Sequence, residues 1–277
     1  MSRIRVVTLN ALSPQYADGP RRREAIRAEL QRLDPDVVAL QEVVRAEVAD
    51  LVPGHHLALH PAEADDGSTA VLASRWPFVR VHRLNLDVTP RAREFRWGGA
   101  AVAELDVPGV GRVVVAHHKP CFQLGFERER ELQAVATAGL VERVVADRPA
   151  HAVLLGDLDA TPDAASIRFL TGRRSLEGVS VSYHDTWETA HPDEPGHTFA
   201  PANPLVAAGD MPLVRPRRID YVLVRDTTHG PTLRVDGCEL AFTGGPGGVP
   251  PSDHLGLVVD LAPPDRSPGA FGDGFVS

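Results

Sequence analysis

Short apolar runs rich in β-branched residues, each stopping on a polar residue, constrain this chain more than any other feature. IRVVTLN (residues 4–10) stops on Asn10 and DVVALQEV (36–43) carries Glu42 near its end. GRVVVAHHKP (111–120) closes on His117, His118 and Lys119, and HAVLLGDLDATPD (151–163) on Asp157 and Asp159. Runs of this length and composition read as buried strands, and strands gathered into sheets bring their polar ends to a common rim. Alternate residues of a strand face one way, so Asp157 and Asp159 point to the same side. Two carboxylates so placed repel each other unless a proton or a cation stands between them. A solvated turn is the competing reading, because Asp, Thr and Pro all favour turns.

The rest of the chain keeps this rhythm. Residues 68–74 read as another strand, and 100–107 and 111–118 as a hairpin pair around Pro108-Gly109. Ala25, Ile26, Leu30 and Leu33 have helical spacing, ended by Asp34-Pro35; a longer helix is expected over 127–147 and a further one begins near Pro162. Residues 183–214, rich in His, Pro and Gly, read as loop, with strands again at 217–226 and 255–262. No repeat or linker interrupts the series. The expectation is one domain over 1–263, of the α/β (α+β) class, and a flexible tail over 264–277.

Composition narrows the function. An apolar share of 43% supports a sizeable core, and a net charge of -8 argues against an obligate nucleic-acid binder. Cys121 and Cys238 are too few for a disulfide framework or a cysteine-rich zinc site. His56 and His60 are four apart, but Pro61 and the lack of a third ligand argue against zinc. The opening MSRIRVVTLNAL has no apolar leader core and no run is long enough to span a bilayer, so a cytoplasmic monomer is expected.

The strand-end residues carry the chemistry. Asn10, Glu42, His117 or His118, Asp157, Asp159, Asp220, Asp253 and His254 all stand at or near an end of an apolar run. Any one alone is more often structural, yet Glu42 in a buried strand is costly unless paired or metal-bound. Carboxylates with an Asn amide suit Mg²⁺ or Mn²⁺ better than zinc. Asp220 can orient His254 by fixing its tautomer. Arg96, ahead of Trp97, Arg218, ahead of Asp220, and Lys119, the only lysine, are candidates for substrate contact, with solvated faces as the alternative. Trp187 reads as a core residue.

These motifs, in this order, resemble the endonuclease/exonuclease/phosphatase superfamily. VVTLNAL is similar to its opening strand, DPDVVALQEV to its metal-glutamate motif, and LASRWP to the serine-arginine stretch that follows. VVVAHHKP stands at its histidine strand, RERELQ at its Arg-x-x-Gln helix start, and LLGDLDATPD at its Gly-Asp-Phe-Asn motif. DTWETAHPDEPGHTF, RRIDYVLV and PSDHLGLVVDL complete the series. The resemblance implies a four-layered α/β sandwich, two mixed β-sheets packed face to face with helices outside. It implies a divalent-metal-dependent phosphoesterase acting on a phosphodiester of nucleic acid or of a small metabolite. Glu42 would bind Mg²⁺ or Mn²⁺ with Asn10 and Asp253, Asp157 would activate water, and His254 with Asp220 would serve the scissile phosphate. The strand histidine would hold another phosphate oxygen; AHHK fits either register, and counting to Lys119 favours His117. Asp159 departs from the family's usual Asn, whose amide can donate a hydrogen bond that an ionised carboxylate cannot. Either Asp159 has a raised pKa beside Asp157, or it serves as a metal ligand, or the chemistry is altered. The alternative function is therefore a member that acts on a specialised phosphorylated ligand without ordinary nuclease activity.

Three other enzyme classes fit poorly. A haloacid-dehalogenase-type phosphatase needs a lysine downstream of its Asp-x-Asp motif, and a calcineurin-type phosphatase needs Gly-Asn-His. A serine hydrolase needs Gly-x-Ser-x-Gly.

Overall fold

A computed structural model describes residues 3–64, 66–94 and 98–270. Six strands form one sheet in the order β12 (Arg234–Ala241), β13 (Gly256–Ala262), β1 (Ile4–Asn10), β2 (Val37–Val44), β4 (Ser68–Ser74) and β3 (His56–Glu63). The second sheet runs β11 (Gly230–Pro231), β10 (Asp220–Thr227), β8 (His151–Asp157), β7 (Gly111–Lys119), β6 (Gly99–Val107) and β5 (Phe78–Asn85), with β9 (Tyr183–Asp185) also paired to β10. Both sheets are mixed: β1 lies parallel to β2 and β7 parallel to β8, and the other pairs are antiparallel. A parallel pair needs a crossover. α1 (Gly19–Leu33) and α4 (Glu127–Asp147) supply the two crossovers, while α2 (Val48–Leu51), α3 (Pro90–Glu94) and α5 (Ala165–Leu170) are short.

Strand alternation divides the apolar side chains among three cores. Val6, Val37, Val113, Val115, Val153 and Leu155 meet between the sheets, where the expected core residue Trp187 is also buried. Val7, Leu9 and Leu40 face Ile26, Leu30 and Leu33 of α1. Val114, Ala116 and Leu154 face Ala134, Ala138 and Val141 of α4. Helix, sheet, sheet and helix thus form a four-layered sandwich. No helix among the described residues is long and apolar enough to cross a membrane.

The stretch read as loop over 183–214 also holds β9 and two short helices, α6 (Thr186–Ala190) and α7 (Pro204–Ala208). Arg96 and Trp97, and residues 271–277 of the expected tail, lie outside the described residues.

Candidate active site

Parallel pairing carries four strand ends to one rim. Asn10 ends β1, Glu42 lies near the end of β2, Lys119 ends β7 and Asp157 ends β8. The antiparallel partners begin at the same rim, β10 with Asp220 and β13 just after Asp253 and His254. Asn10 ties the two sheets together, its Nδ2 donating to Glu42 Oε1 at 2.8 Å and to Asp157 Oδ2 at 2.9 Å. A carboxylate can only accept, so the amide orientation is fixed. Asn10 Oδ1 accepts the Leu12 N–H at 3.0 Å. Here Asn10 orients two carboxylates, where the sequence suggested an oxygen ligand.

Glu42 reaches the rim through a break in the β2–β4 ladder. The register shifts between Leu40 and Val43, and Glu42 has φ 58°, in the left-handed region. Such a backbone costs roughly 1–3 kcal/mol for a non-glycine residue and clusters at functional sites. The bulge lets Gln41 stay buried between the sheets while Glu42 lines an open cleft of about 620 Å³. Burial pushes the Glu42 carboxyl above its usual range and repulsion from Asp253 adds to this, against the pull of Lys119 and Asn10.

The cation between the paired aspartates is Lys119. Its Nζ lies 2.5 Å from Asp157 Oδ2 and 2.5 Å from Asp159 Oδ2, with Lys119 only 2% exposed. Asp159 has φ 51°, a conformation that Asp and Asn adopt more readily than other side-chain-bearing residues, and its N–H donates to Asp157 Oδ1 at 3.1 Å. Burial raises both carboxyls, but at Asp157 the Lys119 ammonium wins and holds the group low. At Asp159 burial and the charge of Asp157 win, and the group is raised. The strand that delivers them lies tightly beside β7 in the sheet: a Cβ on Gly156, whose φ is 145°, would stand 2.3 Å from the His118 carbonyl oxygen.

Asp220 pairs in register with Asp157 across β10 and β8. Its Oδ2 lies 2.9 Å from His254 Nδ1, so His254 turns Nε2 away from Asp220. Burial alone would lower the His254 imidazolium, but the charges of Asp220 and Asp157 outweigh it and raise it, so that it stays protonated at neutral pH. Asp157, Asp220 and His254 offer ligand atoms within 4.8 Å of one another. The trio can therefore hold a cation with His254 neutral, or move a proton with His254 charged; Glu42 and Asp253 offer further carboxylate oxygens in the same cleft. Asp253 lines the cleft beside Glu42, and Ser252 Oγ donates to the Asn10 carbonyl at 2.6 Å and accepts the His254 N–H at 3.1 Å.

The remaining candidates fall elsewhere. His117 points between the sheets, on the face of Val113 and Val115, with Nε2 2.6 Å from Gln41 Nε2 and its ring 4.4 Å from that of His60. His118 points the opposite way and meets Thr137 of α4 at 3.0 Å. Neither histidine lines the cleft, because Lys119 takes the inward-facing position at the strand's end. Lys119 is itself buried behind the aspartates and away from solvent, so it does not meet the expectation of a substrate contact. Arg218 is likewise buried, 2.6 Å from Asp185 and 3.4 Å from Glu188. Its neighbour Arg217 lines the cleft instead, donating to the Asp159 carbonyl at 3.0 Å. Sequence reading missed Phe122, which borders the cleft just beyond β7 and follows the buried Cys121.

The model of the endonuclease/exonuclease/phosphatase family matches residues 7–254, and the chain belongs to that family. No curated protein sequence matches it significantly. Among solved structures it resembles D. rerio TDP2 complexed with single-strand DNA product, at 18% identity and TM-score 0.73 over 94% of this chain and 99% of that one. The human Nocturnin catalytic domain with bound sulfate matches at 19% identity and TM-score 0.70 over 95% of both chains. An endonuclease/exonuclease/phosphatase from Beutenbergia cavernae matches at 24% identity and TM-score 0.68, over 98% of this chain and 74% of that one.

Proposed function

We propose that the cleft hydrolyses a phosphodiester by attack of water, assisted by Mg²⁺ or Mn²⁺. The observation that carries this reading is the gathering of Glu42, Asp157, Asp253 and a charged His254 in one cleft at the rim of both sheets. The cation fits these residues: Glu42 and Asp253 repel each other in a half-buried place, and hard carboxylate oxygens are what such ions prefer. When bound there, the ion supplies positive charge to the phosphoryl oxygens and makes water a better nucleophile. Asp157, held ionised by Lys119 and Asn10, orients and deprotonates the attacking water. His254, held by Asp220, serves as proton donor to the departing oxygen. Asp159, compensated by Lys119, keeps Lys119 in place instead of donating to the substrate. The candidate substrates run from nucleic acid, present as a single-strand DNA product in the D. rerio TDP2 structure, to small phosphate esters.

Bis-p-nitrophenyl phosphate tests the reading. Release of p-nitrophenolate is expected with Mg²⁺ or Mn²⁺, falling to the uncatalysed rate in EDTA and returning with added metal. No metal-dependent release by the native protein would overturn this reading in favour of a member that binds a phosphorylated ligand without cleaving it.

A further inference from the structure

Three loops frame the cleft, each pinned by a polar side chain, buried in the case of Arg22, Arg130 and Gln133, while presenting apolar side chains to the opening. Arg22, 2% exposed, donates to the carbonyls of Ala11, Leu12, Ser13, Tyr16 and Ala17 at 2.8–3.0 Å and so fixes the loop after β1. That loop offers Leu12 and Tyr16 to the cleft, with Tyr16 51% exposed. Arg130 donates to the Cys121 and Gln123 carbonyls at 3.1 and 2.8 Å, and Gln133 Oε1 accepts the Cys121 N–H at 3.0 Å. Phe122 is thereby held at the cleft edge, 41% exposed. Asn203 caps α7 through the Leu205 N–H at 3.0 Å and donates to the Ser252 carbonyl at 2.8 Å. α7 and the segment after it add Leu205, Val206 and Met211, backed by Phe199 and Ile219.

Charge runs the other way from what a polyanion needs. Among the described residues lining the cleft, Arg217 is the one arginine or lysine. Against Arg217 and the charged His254 stand Glu42, Asp157, Asp159 and Asp253, with the exposed Asp66 and Asp210. A groove that follows a nucleic-acid strand carries several basic side chains to meet successive phosphates. Among the described residues, a second phosphate beside the scissile one would meet Arg217 at most, and otherwise carboxylates and apolar side chains. Rigidly held, exposed aromatic and aliphatic groups mark a surface that an apolar ligand covers.

We propose that the substrate is a phosphodiester with a single phosphate, one of whose alcohols is apolar and uncharged, aromatic or aliphatic, and is seated on the wall of Tyr16, Phe122 and Met211. This rests on the phosphodiesterase reading above and adds the substrate class to it. The apolar group lies on the wall while the phosphate lies over the acidic floor, where Glu42 and Asp253 would hold the cation, so affinity comes from the alcohol and not from further phosphates.

Methyl, hexyl and phenyl p-nitrophenyl phosphates share one leaving group and differ only in the second alcohol, which makes them the test. With Mn²⁺, kcat/KM is expected to rise at least about tenfold from methyl to hexyl or phenyl, the scale of burying a few methylenes in an apolar pocket. Phe122→Ser and Met211→Ser should each lower the phenyl-to-methyl ratio, a within-protein comparison insensitive to how much enzyme is folded. Equal kcat/KM for all three esters overturns the proposal and leaves the phosphodiesterase reading standing, as does a ratio that both variants keep. Faster cleavage of a single-stranded oligonucleotide than of the phenyl ester does the same. No release from any ester overturns both.

Discussion

Replacing Lys119 with methionine is expected to lower stability by about 3–5 kcal/mol, the cost of removing one partner from a buried ion pair. Activity on bis-p-nitrophenyl phosphate should fall at least a hundredfold. Methionine fills much the same volume, so the loss is chiefly that of the charge. Without the ammonium, Asp157 and Asp159 face each other in a buried place, next to Asp220, which pairs in register with Asp157. At least one carboxyl must then take up a proton, and a protonated Asp157 cannot accept one from water. Adding Asp159→Asn to Lys119→Met removes one of the stranded charges and should recover a good part of the lost stability. The check is urea denaturation of the native protein, both single variants and the double variant. A loss below about 1 kcal/mol in Lys119→Met, or no recovery in the double variant, would contradict the assigned role of the lysine.

His254→Asn carries the second large effect. Asparagine can still donate a hydrogen bond toward Asp220 from the position of Nδ1, but nothing remains at Nε2 to give a proton. The expected loss is about 10²- to 10⁴-fold in kcat, the span of a single general acid. Asp220→Asn should cost less, since His254 remains. Steady-state kinetics of both variants with Mn²⁺ decide it. A loss under tenfold for His254→Asn would remove the histidine from the proton-transfer step.

Much of this geometry was legible in the chain. β1 spans the expected residues 4–10, and α4 spans 127–147 as its periodicity requires. Those elements are buried on both faces or carry a clear apolar stripe, so local pattern and tertiary packing agree. β3, β5 and β12 are edge strands, and their exposed, charged or histidine-rich faces hide the alternation. Within 183–214, α6 and α7 are single turns, started by Asp185 and Asn203 as caps; five residues give no periodicity to read.

The site was legible by residue type and less so by facing. Asn10, Glu42, Asp157, Asp159, Asp253 and His254 line one cleft. Lys119 and the two histidines were harder, because three consecutive polar residues on one strand can each be the one that faces inward at the rim. Only the register of β7 against β8, with His117 beside Leu155, decides that Lys119 reaches the aspartates. Arg217 and Arg218 posed the same problem: neighbours in a strand-like segment face opposite ways, and the structure puts Arg217 at the cleft and Arg218 on Asp185.

The Mn²⁺ dependence of bis-p-nitrophenyl phosphate hydrolysis, compared between the native protein and Glu42→Gln, tests most directly that this cleft works through a bound cation. Glutamine keeps the shape and a hydrogen-bonding oxygen for the Asn10 amide, and removes the charge. The half-saturating Mn²⁺ concentration is expected to rise at least tenfold, about 1.4 kcal/mol of metal affinity. Superimposable metal curves for the two proteins would contradict the account and place the cation, and with it the chemistry, somewhere other than Glu42.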